Sequence, residues 1–403
     1  MRVCFETFGC RLNRAEALQE EAVYLARGWE RTERHDDADL IVVRGCSVTR
    51  RAERDSERLI AHIREKYPFK RVIVTGCLAS AQKNYFVNGV SSRQAREGEV
   101  DETVPTRTAR AYLKVQDGCN GFCTFCIVPR FRGKARSVGF DACVARARRF
   151  IDAGYREIVV TGCNLSMYAS EGRDLAELLA ALADLSPDCR IRLGSLEPTP
   201  EALKVVETVA SRANICNYLH IPVQSGSDRV LAAMRRPYQV RLVEKIVHEA
   251  GKLMPDLGLG CDLMTGFPGE TDTEFLATKE LFRRLPFTKA HVFPYSERPD
   301  TAAATMPRPV DAAVRSARAK ELAALSDAVR TRYASGFVGR TVEIVVEDEA
   351  TLSGWTAEYL WCVAGGGGAG GATDGSGRRI ARKDRLKVLV RRAHGHVLVG
   401  TPV

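Results

Sequence analysis

The chain has 403 residues, 45% apolar and 27% charged, a globular balance that at roughly 100–200 residues per domain predicts two to four domains. No stretch reaches the roughly 18 uninterrupted apolar residues of a membrane span, and Met1–Cys10 carries no apolar signal core or cleavage site, so a cytoplasmic protein away from membranes is expected. Thirteen cysteines in so large a chain point to metal-binding or catalytic thiols in a reducing compartment, and a net charge of +10 fits a polyanionic partner without excluding a neutral one.

The first hundred residues alternate strand and helix patterns. Strands are predicted at Arg2–Phe8, Leu40–Val43 and Val72–Thr75, and helices at Arg14–Arg27 and Arg50–Tyr67. That alternation predicts a small, doubly wound parallel sheet. Each strand runs into Gly-Cys, at Gly9-Cys10, Gly45-Cys46 and Gly76-Cys77. Ligands of open parallel sheets sit beyond the carboxyl ends of the strands, so three thiols are delivered to one edge. The plain alternative is three unrelated cysteines packing as small hydrophobes; the same placement on all three strands argues against it. Residues 81–110 are polar and without periodicity, and predict a loose connection.

A longer strand–helix series follows. Strands are expected at Tyr112–Gln116, Glu157–Thr161, Arg190–Ser195, Tyr218–Pro222, Gly258–Met264 and Lys289–Pro294, with helices between them. Six such units predict a partial (βα)6 barrel with its active site at the carboxyl ends of the strands. Asp311–Tyr333 reads as a long charged helix. Short strands then follow at Thr341–Val346, Thr356–Cys362, Leu386–Arg391 and His396–Val399, the pattern of a small OB-like β-barrel. The glycine-dominated run Ala364–Gly377 is expected to be a flexible loop. The expected class is α/β, with domains at 1–104, 105–335 and 336–403.

The sharpest local signal is Cys119-Asn-Gly-Phe-Cys123-Thr-Phe-Cys126. Three soft thiolates on one short loop suit three corners of a [4Fe–4S] cube. With no fourth ligand nearby, one iron stays open to chelate S-adenosylmethionine (SAM), as in radical SAM enzymes, where reductive cleavage yields a 5′-deoxyadenosyl radical. Gly118 and Gly121 let the loop fold tightly. A zinc site would want a fourth Cys or His close by, yet the nearest histidines are His62 and His220. Ser195 and Glu197, Gln224 and Ser225, and Gly266 and Pro268 lie at successive strand ends, where small and polar residues let a ligand approach the backbone. They are the candidate walls of a SAM site. The other cysteines read as packing residues, although Cys163 repeats the strand-Gly-Cys pattern, and no histidine pairs convincingly with a cysteine or acid.

Thr7-Phe-Gly-Cys10-Arg-Leu-Asn13, Gly45-Cys46-Ser-Val-Thr49, Thr75-Gly-Cys77, the CxxxCxxC run and the Pro222–Ser227 and Gly266–Thr271 segments together resemble the methylthiotransferase family over nearly the whole chain. The C-terminal part is similar to that family's TRAM module, most clearly at Gly354–Tyr359. The resemblance implies that Cys10, Cys46 and Cys77 hold an auxiliary [4Fe–4S] cluster and that Cys119, Cys123 and Cys126 hold the SAM cluster. It also implies two uses of SAM, one to methylate sulfur and one to supply the radical that replaces C–H by C–SCH3. Two features depart from the family pattern: Arg44-Gly45 stands where Asn-Thr is usual, and only 41 residues separate Cys77 from Cys119.

Within the family, Gly9-Cys10-Arg-Leu-Asn13 looks most like the branch acting on N6-threonylcarbamoyladenosine beside the tRNA anticodon. The isopentenyladenosine branch tends to carry Gln-Met after the cysteine, and the ribosomal-protein branch Pro-Lys. Charge gives an independent indication. Arg378, Arg379, Arg382, Lys383, Arg385, Lys387, Arg391 and Arg392 stand against one acid, Asp384, as a phosphate-docking module requires; a solvated strand edge guarded by charge is the plainer reading. Anticodon-loop bases can be splayed into a pocket without opening a duplex. The expected partners are tRNA and an electron donor, and a monomer is expected. A rival from another class is a non-catalytic iron–sulfur protein that binds RNA through the basic barrel.

Overall fold

The computed structural model describes residues 1–81, 90–92, 108–365 and 379–403. Arg378 and most of the glycine-dominated run lie outside the described residues. No helix among them is long and apolar enough to cross a membrane.

The N-terminal sheet has five parallel strands in the order Glu30–Arg31, Arg2–Thr7, Leu40–Gly45, Arg71–Gly76 and Val90–Ser92. The three predicted strands form its centre. The two edge strands are too short to show alternation, and Val90–Ser92 falls in the stretch expected to be loose. Ile60 and Ile63 of helix Arg50–Lys66 cover one face against Ile41, Val43, Val72 and Val74. Tyr24 of helix Arg11–Ala26 packs on the other against Val3, Phe5, Leu40 and Val42. Leu40–Gly45 is buried along its whole length, so its first four residues, Leu40–Val43, read as a continuous apolar run.

Six parallel strands follow: Ala111–Lys114, Glu157–Thr161, Arg190–Leu193, Tyr218–Gln224, Gly258–Thr265 and Lys289–Pro294. They pair as two three-stranded sheets joined by the bridges Ile191–Ile215 and Ser195–His220, giving the expected open six-stranded barrel. Between strands run helices whose starts are chemically marked, with full capping boxes at Asp174/Glu177 and Thr271/Glu274. Helix Ala312–Ser335 packs along the last strand, where Ser326 Oγ accepts from the Ala290 amide at 2.8 Å.

The C-terminal module is a closed barrel in the order Thr341–Asp348, Ser353–Thr356, Trp361–Val363, Val397–Pro402 and Arg385–His394. The expected single strand Thr356–Cys362 is two strands with a turn between them. The Tyr359 amide donates to the Thr356 carbonyl at 3.2 Å, the Leu360 amide to Thr356 Oγ1 at 3.2 Å, and Tyr359 has φ +67°. Its aromatic residues have strand propensity, and that hid the turn.

This turn docks the module on the large barrel. Arg190 and Arg192, 4% and 0% exposed, share the fully buried Glu157 and donate to the carbonyls of Trp355, Thr356 and Ala357. With Arg110 at 3.6 Å, three guanidiniums surround this carboxylate, and backbone acceptors for other N–H groups help satisfy charges that would be costly to bury alone. Across the interface Gly258 leaves room for the Glu358 carbonyl, 2.2 Å from where a Cβ would stand.

Candidate active site

The register of the N-terminal sheet sets Thr7 beside Arg44 and Gly45 beside Gly76, so Cys10, Cys46 and Cys77 leave neighbouring strands on one edge. Gly9, at φ +97°, lies so close to Cys46 that a Cβ there would stand 2.8 Å from Sγ; only glycine permits that approach. Cys10 caps helix Arg11–Ala26, and Cys77 opens helix Cys77–Ala81. Asn13 ties two of the loops, donating to the Phe8 and Gly45 carbonyls at 2.8 and 3.1 Å. The three thiols are near enough to feel one another's charge. Burial pushes Cys46 up to about 11.

The unusual Arg44 is accommodated by acids from the facing helix. It pairs with Glu16, and its Nη1 lies 3.0 Å from Glu20. Gly45 fits because a Cβ there would meet Leu78 at 2.7 Å. The departure from the family pattern is thus compensated locally.

The second thiol set lies at the mouth of the large barrel. Gly118, at φ +67°, passes where a Cβ would stand 2.0 Å from the Lys134 carbonyl oxygen. The Gly121 amide points at Cys119 Sγ from 3.3 Å, and Thr124 anchors the loop on the Ala233 and Met234 carbonyls. Arg236 Nη1 donates to Cys123 Sγ at 3.1 Å while Nη2 pairs with Glu197. Burial raises Cys126 to about 12. Burial also raises Glu197 above the usual carboxylate range, against the pull of Arg236.

The other strand-end candidates separate in space. Gln224, at φ +67°, is buried with Oε1 lacking a partner. Ser195 is exposed and bridges to His220. Ser225 is closed into its own turn, fully buried against Thr278 and the Ser227 amide. Gly266 and Pro268 are buried in a loop held by Glu270, which accepts from the Gly266 amide at 2.6 Å and pairs with Arg318. Gly266 is needed there because Arg315 Cγ would be 1.9 Å from a Cβ. Cys163 turns its thiol to Asp117 Oδ1 at 3.3 Å, and Cys4, Cys143, Cys189, Cys216, Cys261 and Cys362 are buried, as expected of packing residues.

Arg132, which no motif signalled, ties the helix that follows the second thiol set to the first set. It follows the CxxxCxxC loop, yet its Nε reaches Cys77 Sγ at 3.4 Å. Its Nη atoms bond Glu16 at 3.0 Å and Asp117 at 3.1 Å. Lys114 adds contacts of 2.7 Å to Glu16 and 2.6 Å to Asp117. A second tie runs from Arg298 to Glu53 at 2.6 Å and to Ser47 Oγ at 3.1 Å. Histidines expected to be unpaired also meet. Strand register brings His220 and His291 onto Asp262 Oδ1 at 3.0 and 3.6 Å, and despite burial they hold that carboxyl well below its ordinary range.

The basic run of the C-terminal module divides. Arg379, Arg382, Arg385, Lys387, Arg391 and Arg392 are exposed. Lys383 instead sits 3.7 Å over the Tyr155 ring of the large barrel, and Arg385 bonds Glu343 at 2.7 Å and reaches the Pro187 carbonyl at 3.4 Å.

Residues 113–282 match the Radical SAM superfamily and residues 2–94 the uncharacterized protein family UPF0004. The chain is 34% identical to the threonylcarbamoyladenosine tRNA methylthiotransferase MtaB of Bacillus subtilis, over 89% of each chain. It is 31% identical to the Thermotoga maritima protein of that name, over 89% of this chain and 90% of the relative. It is also 32% identical to the tRNA-2-methylthio-N(6)-dimethylallyladenosine synthase of Chlorobium limicola, over 86% and 87%. The radical SAM methyltransferase TsrM of Kitasatospora setae shares the fold, with a TM-score of 0.56 at 12% identity over 75% of this chain and 76% of that one. With two thiol triads on the two elements these matches cover, the chain belongs to the radical SAM methylthiotransferase family.

Proposed function

We propose that the protein adds a methylthio group to C2 of N6-threonylcarbamoyladenosine beside the anticodon of tRNA. The observation that carries the reading is the pair of three-thiol sets, one on the N-terminal sheet edge and one at the barrel mouth, with Arg132 of the helix after the second set bonded to Cys77 of the first. We assign Cys119, Cys123 and Cys126 as ligands of a [4Fe–4S] cluster with one iron left for SAM, and Cys10, Cys46 and Cys77 as ligands of the second. The donor chemistry fits: each set offers three soft thiols, and burial disfavours the thiolate of Cys46 and Cys126 until a cation is beside it. When bound, the cluster held by Cys119, Cys123 and Cys126 would supply the electron for reductive SAM cleavage, and the one held by Cys10, Cys46 and Cys77 would be the place where a second SAM methylates sulfur.

The chain's own groups bind and orient. Arg236 donates to Cys123 and fixes Glu197. Glu197 and the unpartnered Oε1 of Gln224 offer acceptors suited to the ammonium group of SAM. Exposed Lys387, Arg391 and Arg392 offer cations to RNA phosphates. Relatives named for the two adenosine substrates are comparably similar, at 34% and 31% against 32%. The choice between them rests on Gly9-Cys10-Arg-Leu-Asn13.

The test is mass spectrometry of tRNA nucleosides from a host lacking its own methylthiotransferases, with and without this protein. The expected product is 2-methylthio-N6-threonylcarbamoyladenosine. The isopentenyl analogue in its place would keep the chemistry and overturn the substrate. No change in either nucleoside, with both clusters intact, would overturn tRNA as the substrate.

A further inference from the structure

All three domains contribute residues near the amino ends of the fourth to sixth barrel strands, and the motifs that contain Arg11 and Tyr359 assign them no role there. Tyr359, from the turn of the C-terminal module, stacks with Trp355 at 4.4 Å between ring centroids and lies 4.8 Å from Tyr218 of the fourth barrel strand. The Arg11 guanidinium, from the N-terminal domain, lies 5.0 Å from the Tyr359 centroid. Tyr218 extends over Gly260, where a Cβ would stand 2.4 Å from its hydroxyl, and Gly260 pairs in register with Lys289. Lys289 and His291 are two residues apart on one strand and so share a face; His291 lies 3.6 Å from Asp262, its register partner on the neighbouring strand.

These cations have no ion-pair partner among the described residues, although Asp262 acts on Lys289 and Asp327 on Arg330 from beyond salt-bridge distance. Among the described residues Arg11, Lys289 and Arg330 form no salt bridge, although the chain forms them freely elsewhere. Burial, then the charges of Arg330 and Arg11, push Lys289 down to about 8 against the opposing pull of Tyr359 and Asp262. Like charges gathered in a half-buried place are costly unless an anion arrives. The aromatic rings beside them suit a flat base. A nucleobase carrying its own anion satisfies both features at once.

We propose that Arg11 and Lys289, beside the Tyr218–Tyr359 ring pair, bind the carboxylate that the threonyl group adds to N6 of the substrate adenosine, and so select it over adenosines with an uncharged N6 substituent. This rests on the substrate reading above and deepens it. Threonine joined through its amino group to a carbamoyl keeps a free carboxylate, whereas an isopentenyl group has no charge. Selection then follows because a neutral substituent leaves the cations unpaired, the stronger form of discrimination.

The test compares binding of anticodon stem-loop RNAs to the cluster-loaded enzyme, carrying either N6-threonylcarbamoyladenosine or its carboxamide analogue. The two RNAs differ by one charge and share every phosphate. Wild type is expected to prefer the carboxylate by about tenfold or more, the scale of a charge-assisted hydrogen bond. In Arg11→Gln and Lys289→Gln that ratio should fall toward one. If wild type shows the preference and both variants keep it, this assignment is overturned while the substrate reading stands. If the variants weaken both RNAs equally, the cations bind backbone phosphate and the assignment is again overturned. If wild type shows no preference and turns over only the isopentenyl RNA, the substrate reading itself has failed. Arg11 adjoins Cys10, so iron content is measured alongside; should Arg11→Gln lose iron, Lys289→Gln decides the matter.

Discussion

Glu16 accepts from Arg132 and Lys114 and pairs with Arg44 within a largely buried space. Burial opposes its charge, but Arg44 and Arg132 outweigh that and hold its carboxyl far below the ordinary value of 4.5. A carboxyl depressed on folding contributes stability above its unfolded pKa and loses that contribution as pH falls through the folded value. Glu16→Gln should therefore cost about 3–5 kcal/mol, because removing one partner leaves buried cations uncompensated. It should also flatten the loss of thermal stability as pH falls below about 5 toward the depressed folded value. Equal melting temperatures for variant and wild type at neutral pH would show that the cluster carries no such energy. None of this was legible in the sequence. Glu16 lies on a helix of mixed charge, and Arg132 and Arg236 lie in short basic runs that no motif marks. Only the stacking of one domain on another brings residues 16 and 132 together. The thiol sets, by contrast, were legible because strand-Gly-Cys and CxxxCxxC are local patterns.

At the scale of elements, strand Arg385–His394 shows how far alternation goes and where it stops. Leu386, Val388 and Val390 point into the small barrel while Arg385 and Lys387 point out, the period of two that the sequence displays. Alternation says which residues leave the core, but not what they meet outside it. Lys383, at φ +79°, lies against Tyr155, and Arg385 reaches Pro187, so both serve the contact with the large barrel. Changing Lys387, Arg391 and Arg392 together to alanine should weaken tRNA binding and reduce its salt dependence by about 2 in log–log slope, at roughly 0.7 per contact with single-stranded RNA. Lys383→Ala should leave that slope in place and lower the melting temperature, since it removes a cation–π contact at a domain interface. Titrations over a range of salt, paired with thermal unfolding, separate the two effects. A triple variant with the wild-type slope would remove this strand from the RNA-binding surface.

Across the whole molecule the two thiol sets belong to different folding units. Cys10, Cys46 and Cys77 leave a five-stranded sheet whose own core holds it together. Cys119, Cys123 and Cys126 sit on a loop anchored to the large barrel at Ala233 and Met234. The contacts between the units run through side chains, chiefly Arg132 and Arg298, so losing one thiol set need not disturb the backbone that presents the other. Cys123→Ala removes the thiol that Arg236 holds at 3.1 Å. It should abolish reductive SAM cleavage altogether. Cys46→Ala removes only a ligand on the sheet edge. It should keep SAM cleavage to 5′-deoxyadenosine, bind roughly half the iron of wild type, and form no methylthiolated nucleoside. If Cys46→Ala instead stops SAM cleavage while Cys123→Ala retains it, the assignment of the two sets is reversed. If each variant loses all its iron, the two domains do not carry their clusters independently, and the side-chain ties through Arg132 and Arg298 hold both sites in shape together.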